Sequence, residues 1–136
     1  MDDVLASLPG YALRRASTAM QLEFAALLAP LGLRPSDASI LVLIDANPGM
    51  SPGAIGQALG IQRANMVPLV ARLETSGYLT RVEVDGRSFG LNLSHAGEHI
   101  CRQVKDAMAE HQRLIFERIP PQHRDHLIPA LKALWL

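Results

Sequence analysis

The residues best suited to recognising another molecule lie together between Gln62 and Met66. Gln62, Arg63 and Asn65 carry side chains that pair bidentately with base edges in the major groove of DNA. A helix that reads DNA presents such residues from its N-terminal end. The pattern therefore predicts a base-reading segment, in which we include Met66, at the start of a helix.

A short helix with clear ends is predicted just before this segment. Ser51 is a good N-cap, and Pro52 suits the first helical position, where a backbone N–H has no partner. Gly60 tolerates the left-handed conformation that ends a helix. Helical spacing gives this helix an apolar stripe of Ile55, Ala58 and Leu59.

The second helix is predicted to continue from the base-reading segment to Gly77. Its inner face is assigned to four apolar residues: Val67, Val70, Leu73 and, in part, Leu69. Pro68 conflicts with a regular helix, because proline removes a backbone donor and clashes one turn back, at a cost of about 3 kcal/mol. We keep the helix and expect a bend at Pro68. Two short helices joined at a glycine turn form a helix-turn-helix.

A β-hairpin is predicted next, with its tip at Asp85-Gly86. Asp-Gly is a strong turn signal, and β-branched and aromatic residues flank it. Arg87 is predicted to lie at or beside this tip. Because caps, turns and apolar faces agree throughout the stretch from Ser51 to Arg87, we favour a DNA-reading unit over a plain helical core with an appended hairpin.

The order of these motifs resembles the MarR family of winged helix-turn-helix regulators. The residues that carry the likeness are Leu73-Glu74, Gly77-Tyr78-Leu79, Arg81, Asp85, Arg87, Leu93-Ser94 and Gly97. The likeness is strongest to a subgroup with Arg-Ala-Asn-Met-Val-Pro-Leu in the recognition helix, here Arg63 to Leu69. The chain departs from the family in its shorter wing, which carries Arg87 where many members have a pair of arginines.

The resemblance implies a cytoplasmic homodimer that binds double-stranded DNA at a pseudo-palindromic operator, most simply as a repressor. Four residues are then expected to face the major groove: Gln62, Arg63, Asn65 and Met66. Ser51 is expected to contact a phosphate, and Arg87 the minor groove or the adjacent backbone. The expected fold is mainly α with a small β-hairpin wing, and no catalytic activity or cofactor is implied.

Composition sets the bounds of this interpretation. The chain has 136 residues, enough for one domain with a real core, and its formal net charge is zero. Because phosphate neutralisation supplies much of the affinity for DNA, this balance permits the alternative of a winged-helix protein–protein interaction module. Residues 51–90 hold four arginines against three acidic residues, a net charge of +1. The motif, rather than the charge, indicates DNA.

The remaining apolar patterns predict helices on both sides of this unit. An amphipathic helix is expected from about Tyr11 to Leu28, with Arg14 and Arg15 on its outer side. Its inner apolar stripe is assigned to residues spaced three or four apart: Leu13, Ala16, Met20, Phe24 and Leu27 or Leu28. Residues Ala38 to Asn47 are apolar nearly all round, which predicts a buried central helix. A long helix capped by Ser94 is expected to reach about Arg118, and a last helix carries five apolar residues: Leu127, Ile128, Leu131, Leu134 and Trp135.

The last helix has little of its own domain left to cover its apolar face, so a second copy of the chain is its simplest partner. We therefore divide the single domain 1–136 into dimerisation helices, about residues 1–34 and 98–136, and a winged helix-turn-helix at about residues 35–97. No apolar run long enough to span a bilayer and no signal peptide are expected.

The resemblance also implies a small, often aromatic or anionic, effector held between the dimer helices and the DNA-reading unit. Projected onto this chain, the candidates for that cleft are Arg15, Met20, Phe24, Leu41 and His111. For the apolar candidates, a plain core role is an equal alternative. The subgroup indicates an aromatic acid or an acyl-CoA thioester as the effector.

Two patterns suggest other chemistry. His95-x-x-Glu98-His99 matches the inverted zinc-peptidase motif, but few residues follow it, and we assign no metal site to it. A metal-sensing version of the same regulator is the alternative, and it would need these histidines to be exposed. Cys101 is the only cysteine, which excludes an intramolecular disulfide and suits a reducing compartment. A redox-sensing role for Cys101 would need an exposed thiol with a lowered pKa, and a position on an apolar stripe favours a core role.

Overall fold

The computed structural model describes every residue from Met1 to Leu136. Six helices and one antiparallel hairpin follow one another in the order α1 Pro9–Leu28, α2 Pro35–Ala46, α3 Pro52–Leu59, α4 Arg63–Thr75, β1 Leu79–Asp85, β2 Ser88–Leu93, α5 His95–Arg118 and α6 Arg124–Lys132. Short 3₁₀ turns follow α1 and precede α6. The predicted fold, mainly α with a small β wing, is confirmed.

The core lies around α2, whose apolar residues Ala38, Ile40, Leu41 and Ile44 are almost completely buried. Helix α2 contacts α1, α3, α4, α5 and β2, so each of these elements rests on it. This confirms the predicted buried central helix. It also explains why the segment has so little amphipathic pattern, since a helix covered on all sides has no solvent face to mark.

The helix-turn-helix is confirmed with the predicted caps. The Ser51 side chain accepts a hydrogen bond of 3.1 Å from the Ala54 N–H, which caps α3. Gly60 adopts a φ of 67°, the left-handed conformation that lets the chain turn into α4. A Cβ placed on Gly56 would lie 2.8 Å from Cγ of Met66, so α3 and α4 touch where only glycine fits.

The hairpin pairs Leu79 with Leu93 at its base and Asp85 with Ser88 at its tip, with an irregularity in register between Glu83 and Asp85. Its second strand is joined to the segment before α3, because Leu91 and Met50 form an isolated antiparallel bridge. The wing is therefore attached by backbone hydrogen bonds to the start of the helix-turn-helix, and Arg87 lies at its tip, which confirms its predicted position at or beside the tip.

The two ends of the chain leave apolar surface uncovered. In α1 only Leu28 is fully buried, and Leu13 and Ala16, which were assigned to its inner stripe, are exposed. Helix α6 has no buried residue and ends at Lys132, so Leu134 and Trp135, predicted to lie on it, occupy the turn that follows. Their large side chains are 66% and 68% exposed. No single helix is both long enough and apolar enough to cross a membrane; α1 with its 3₁₀ turn and α2 pass that test only as a pair bent by 74°.

Candidate nucleic-acid interface

An open groove of about 560 Å³ lies between the start of α3, the outer side of α4 and the wing. Its lining includes Ser51 and Gly53 from α3, Arg63 and Val67 from α4, and Arg87 and Phe89 from the wing. The groove thus collects Ser51, Arg63 and Arg87, three of the predicted DNA contacts, from elements distant in the sequence. Gln62 and Asn65 are exposed at the start of α4, outside the groove lining.

The start of α3 is suited to bind an anion. Since Oγ of Ser51 accepts the Ala54 N–H, its own hydroxyl hydrogen is free to point outward. A helix N-terminus also presents unpaired backbone N–H groups and the positive end of the helix dipole. These groups border the groove, which is consistent with the phosphate contact predicted for Ser51.

The structure exchanges the predicted positions of Met66 and Val67. Met66, predicted to face the major groove of DNA, borders the protein's groove only from its inner side, because its side chain packs against Gly56 and is 1% exposed. The inner position predicted for Val67 is wrong, because this side chain is 68% exposed and lines the groove. The inner face consists of Met66, Val70 and Leu73, with Leu69 partly buried. Helix α4 runs through Pro68 as one element, and the expected bend there stays a prediction.

The four arginines of residues 51–90 differ in whether they form an ion pair. Arg72 forms an ion pair with Asp37, whose side chain is 2% exposed. Arg81 forms an ion pair with Glu74. Arg63 and Arg87 both line the groove and form no ion pair with any carboxylate of the chain. A nearly neutral segment therefore presents a positive surface on this side.

Arg81 fixes the wing relative to the recognition helix, a role that the sequence did not predict. Its Nε and Nη2 donate hydrogen bonds of 2.8 and 2.9 Å to the two carboxylate oxygens of Glu74 at the end of α4. These hydrogen bonds hold the pKa of Glu74 below its usual value. The Arg81 guanidinium also lies 4.1 Å from the ring centre of Phe89 in β2. The only signal in the sequence was the family motif containing Glu74 and Arg81.

The wing tip is held by a carboxylate rather than by a glycine with positive φ. Oδ1 of Asp85 accepts hydrogen bonds of 3.0 and 2.9 Å from the N–H groups of Arg87 and Ser88. These bonds lower the pKa of Asp85, the Arg87 N–H being the largest cause. The backbone of Arg87 is therefore ordered while its side chain is exposed beside the groove.

The candidates for an effector cleft divide between surface, helix interface and core. The rings of Phe24 in α1 and His111 in α5 lie 5.3 Å apart, and Met20 is half-buried on the same helix as Phe24. Arg15 is exposed and donates a 3.0 Å hydrogen bond to the Tyr11 hydroxyl. Leu41 has no exposed surface and belongs to the core, which supports its alternative core role.

His111 is the unusual member of this group. The residue is 9% exposed, and its Nε2 is buried without a hydrogen-bond partner. The nearest carboxylate oxygen, from Glu23, is 3.6 Å away. Glu23 is itself held by Arg118 through hydrogen bonds of 2.5 and 2.9 Å, which lower the pKa of Glu23. A buried polar atom without a partner requires an explanation, and a contact with a bound molecule would supply one.

The residues considered for metal or redox chemistry do not form a site. His95 and His99 are exposed, and no group of three or more His, Cys, Asp or Glu side chains converges on a position for a metal ion. Cys101 is 1% exposed, and burial raises the pKa of its thiol. A buried thiol with a raised pKa is unreactive, which supports the core role of Cys101.

Two helices at a glycine turn, a wing attached beside them and a groove with unpaired arginines define a winged helix-turn-helix DNA-binding protein. The sequence profile described as MarR family matches residues 31–88. A relative from Thauera aromatica, described as a transcriptional regulatory protein for the hcr operon, is 28% identical over 129 residues, which cover 93% of this chain and 78% of the relative.

Solved structures extend this likeness over nearly the whole chain. The transcriptional repressor CouR bound to a 23-mer DNA duplex is 34% identical, with a TM-score of 0.90 over 97% of this chain and 95% of CouR. CouR bound to p-coumaroyl-CoA is 32% identical, with a TM-score of 0.88 over 98% of this chain and 96% of CouR. The chain belongs to the MarR family: it is a DNA-binding transcriptional regulator of a dimeric class, and not an enzyme.

Proposed function

We propose that the protein is a homodimeric repressor that binds a pseudo-palindromic operator in the cytoplasm and is released from it by a small ligand. The observation that carries this proposal is the groove that gathers Ser51, Arg63 and Arg87. The other two arginines of residues 51–90, Arg72 and Arg81, are both in ion pairs. The similarity to CouR on a DNA duplex supports it, because that structure has the same fold over nearly its whole length.

Each residue of the groove has a distinct task in this proposal. Arg63 enters the major groove and pairs with a base edge, with Gln62 and Asn65 beside it at the N-terminal end of α4. Ser51 donates to a phosphate, which sets the angle of the recognition helix. Arg87 on the ordered wing tip contacts the minor groove or the adjacent backbone.

Dimerisation is assigned to the chain ends, about residues 1–34 and 98–136, with residues 35–97 as the DNA-reading unit. The exposed apolar side chains at these ends support this division, since an exposed patch of that kind marks an interaction surface. Two recognition helices related by a two-fold axis would then meet two half-sites about one turn of DNA apart.

The effector is proposed to bind between α1 and α5, where Phe24 and His111 meet and Met20 lies nearby. His111 offers its unpartnered Nε2 to a polar group of the ligand, and exposed Arg15 offers a cation for a carboxylate or phosphate. An aromatic acid or an aromatic acyl-CoA thioester has both parts, a ring and an anionic group. The p-coumaroyl-CoA bound to CouR supports this class.

The proposal is tested by titrating the full-length protein against the duplex upstream of its own coding region at two salt concentrations. We expect tight binding that weakens steeply with salt, because phosphate contacts release counterions. The addition of p-coumaroyl-CoA or p-coumarate should release the duplex. Arg63→Ala should weaken the binding by about 1–3 kcal/mol, whereas Arg102→Ala, which removes an exposed arginine outside the groove, should leave it unchanged.

Two results would contradict parts of the proposal. Absence of binding to any duplex at low salt would favour the protein–protein interaction module and overturn the repressor role. Tight binding that no aromatic acid or CoA thioester releases would leave a DNA-binding regulator but overturn the assignment of its effector class.

A further inference from the structure

The outward side of the recognition helix carries no charge beyond its first residue. Ala64, Val67, Pro68 and Ala71 are all exposed on α4, at positions that a helix places along one side. Val67 is the only large apolar side chain exposed on this helix. Any molecule that approaches α4 from the groove therefore meets an apolar surface bordered by Arg63.

The exposure of Val67 follows from how α4 is anchored. Met66 packs against Gly56 on the opposite side, and Arg72 is tied to the buried Asp37. The rotation of the helix about its axis is therefore fixed, and Val67 cannot turn into the core. Helix propensity does not account for a valine here, because a β-branched side chain is a weaker helix former than alanine.

The position of Val67 points to its contact. It lines the same groove as Arg63 and Arg87, the two unpaired cations that would approach DNA. The major groove presents one apolar feature, the 5-methyl group of thymine, which pairs with small apolar side chains. The neighbouring alanines leave room for the helix to approach the base edges closely.

We propose that Val67 is a specificity-determining residue that packs against the 5-methyl group of a thymine in each half-site of the operator. This inference rests on the proposed DNA-binding function. It adds recognition of the thymine methyl group, which is read by apolar contact and not by hydrogen bonds. Burial of one methyl group is worth about a three- to tenfold difference in affinity.

The test uses the duplex upstream of the coding region and replaces each of its thymidines in turn by deoxyuridine. This nucleotide keeps every hydrogen-bonding group of thymidine and lacks only the methyl group. Wild-type protein should lose about three- to tenfold in affinity at one thymine per half-site. The same replacement should change the affinity of Val67→Ala by less than about twofold, since that variant has already lost the contact. Val84→Ala, which shortens a 62% exposed valine of the wing outside the groove lining, should behave as wild type.

The outcomes separate this inference from the function on which it rests. Specific binding by the wild type that no uracil replacement weakens, or equal losses in wild type and Val67→Ala, would overturn the role of Val67 and leave the repressor intact. Absence of specific binding to the thymine-containing duplex would overturn both. Circular dichroism and the midpoint of urea unfolding verify that Val67→Ala remains folded.

Discussion

Arg63 and Arg87 carry the same charge but lie on different elements, a helix and a hairpin tip. We expect this difference to determine what each arginine recognises. Arg63 is the first residue of α4, so we expect the helix to direct its guanidinium toward a defined base edge. Arg87 lies at a two-residue hairpin tip, held only through its own N–H by Asp85. We therefore expect base recognition from Arg63 and backbone or minor-groove attraction from Arg87.

The first prediction compares these two arginines. Arg63→Ala should weaken operator binding by about 1–3 kcal/mol and relax sequence preference, because a bidentate base contact is lost. Arg87→Ala should weaken binding to operator and random duplex by similar factors and reduce the salt dependence. Fluorescence anisotropy with both duplexes measures these changes. Equal losses on the two duplexes for Arg63→Ala would contradict its base-reading role.

Met66 and Val67 show what residue types could and could not predict. Helical periodicity allows either of two adjacent apolar residues to lie on the inner face of α4. The sequence-based prediction places Val67 on that face and Met66 in the base-reading segment. The phase is decided by Gly56, whose missing side chain admits Met66, and that contact joins residues from two different helices. Periodicity within one helix could not provide this information.

At the scale of elements, an ion pair between the partly exposed Arg72 and the buried Asp37 fixes α4 on α2. Asp37 accepts the Arg72 guanidinium with one oxygen and the Arg34 N–H, at 2.8 Å, with the other. Because this carboxylate is almost inaccessible to water, these two partners must compensate the free-energy cost of burying its charge. The pair and the bidentate contact of Arg81 with Glu74 together hold the recognition helix between the core and the wing.

The second prediction follows from the burial of Asp37. Arg72→Met should destabilise the protein by about 3 kcal/mol, because it leaves a buried carboxylate without its cation. Arg72→Met combined with Asp37→Asn should recover part of that loss, since the unpaired charge is removed. Urea unfolding at fixed protein concentration measures Arg72→Met, Asp37→Asn and the double variant. If the loss in the double variant equals the sum of the two single losses, the ion pair does not couple the helices.

The third prediction concerns the contact between α3 and α4. Gly56→Ala should destabilise the fold by about 1–3 kcal/mol, because the added Cβ would meet Met66 and the Ile61 carbonyl oxygen. Gly53→Ala in the same helix is the matched control, since its Cβ would meet nothing closer than Oγ of Ser51 at 4.0 Å. That control should be neutral or stabilising by up to about 1 kcal/mol. Equal effects of the two substitutions in urea unfolding would contradict the close helix contact.

The elements themselves were largely predictable, and their ends were predictable where a specific residue marks them. Ser51, Ser94 and Gly60 carry local chemistry that stops or starts a helix, and all three occupy the predicted caps. The pairing of Arg81 with Glu74 joins the wing to α4, and the bridge from Leu91 to Met50 joins it to the segment before α3. These contacts link different elements, so the pattern within any one element does not predict them.

At the scale of the whole molecule, the uncovered helices indicate where a second copy belongs. Leu13 and Ala16 follow the predicted apolar stripe of α1 yet remain exposed, because nothing in a single chain covers them. The same holds for α6, which has no buried residue. The sequence could indicate this surface from the apolar face of the last helix, which has little of its own domain to cover it, whereas the geometry of the dimer depends on the partner.

The fourth prediction tests this surface. Replacing both Leu134 and Trp135 by glutamate should produce monomers that stay folded, because both side chains are exposed in the single chain. Sedimentation velocity should show the change, and affinity for the operator should fall with the loss of the second recognition helix. Val84→Glu, which places a charge on an equally exposed valine of the wing, should sediment as the wild type. A double variant that remains dimeric would place the interface elsewhere.

The most direct test of sequence-specific DNA binding is competition between the upstream duplex and a random duplex of the same length, at physiological salt and with wild-type protein. We predict a preference for the upstream duplex of about a thousandfold or more, as for other specific DNA-binding proteins. Equal affinity for the two duplexes would contradict base reading by the groove at Arg63 and Val67, and with it operator recognition.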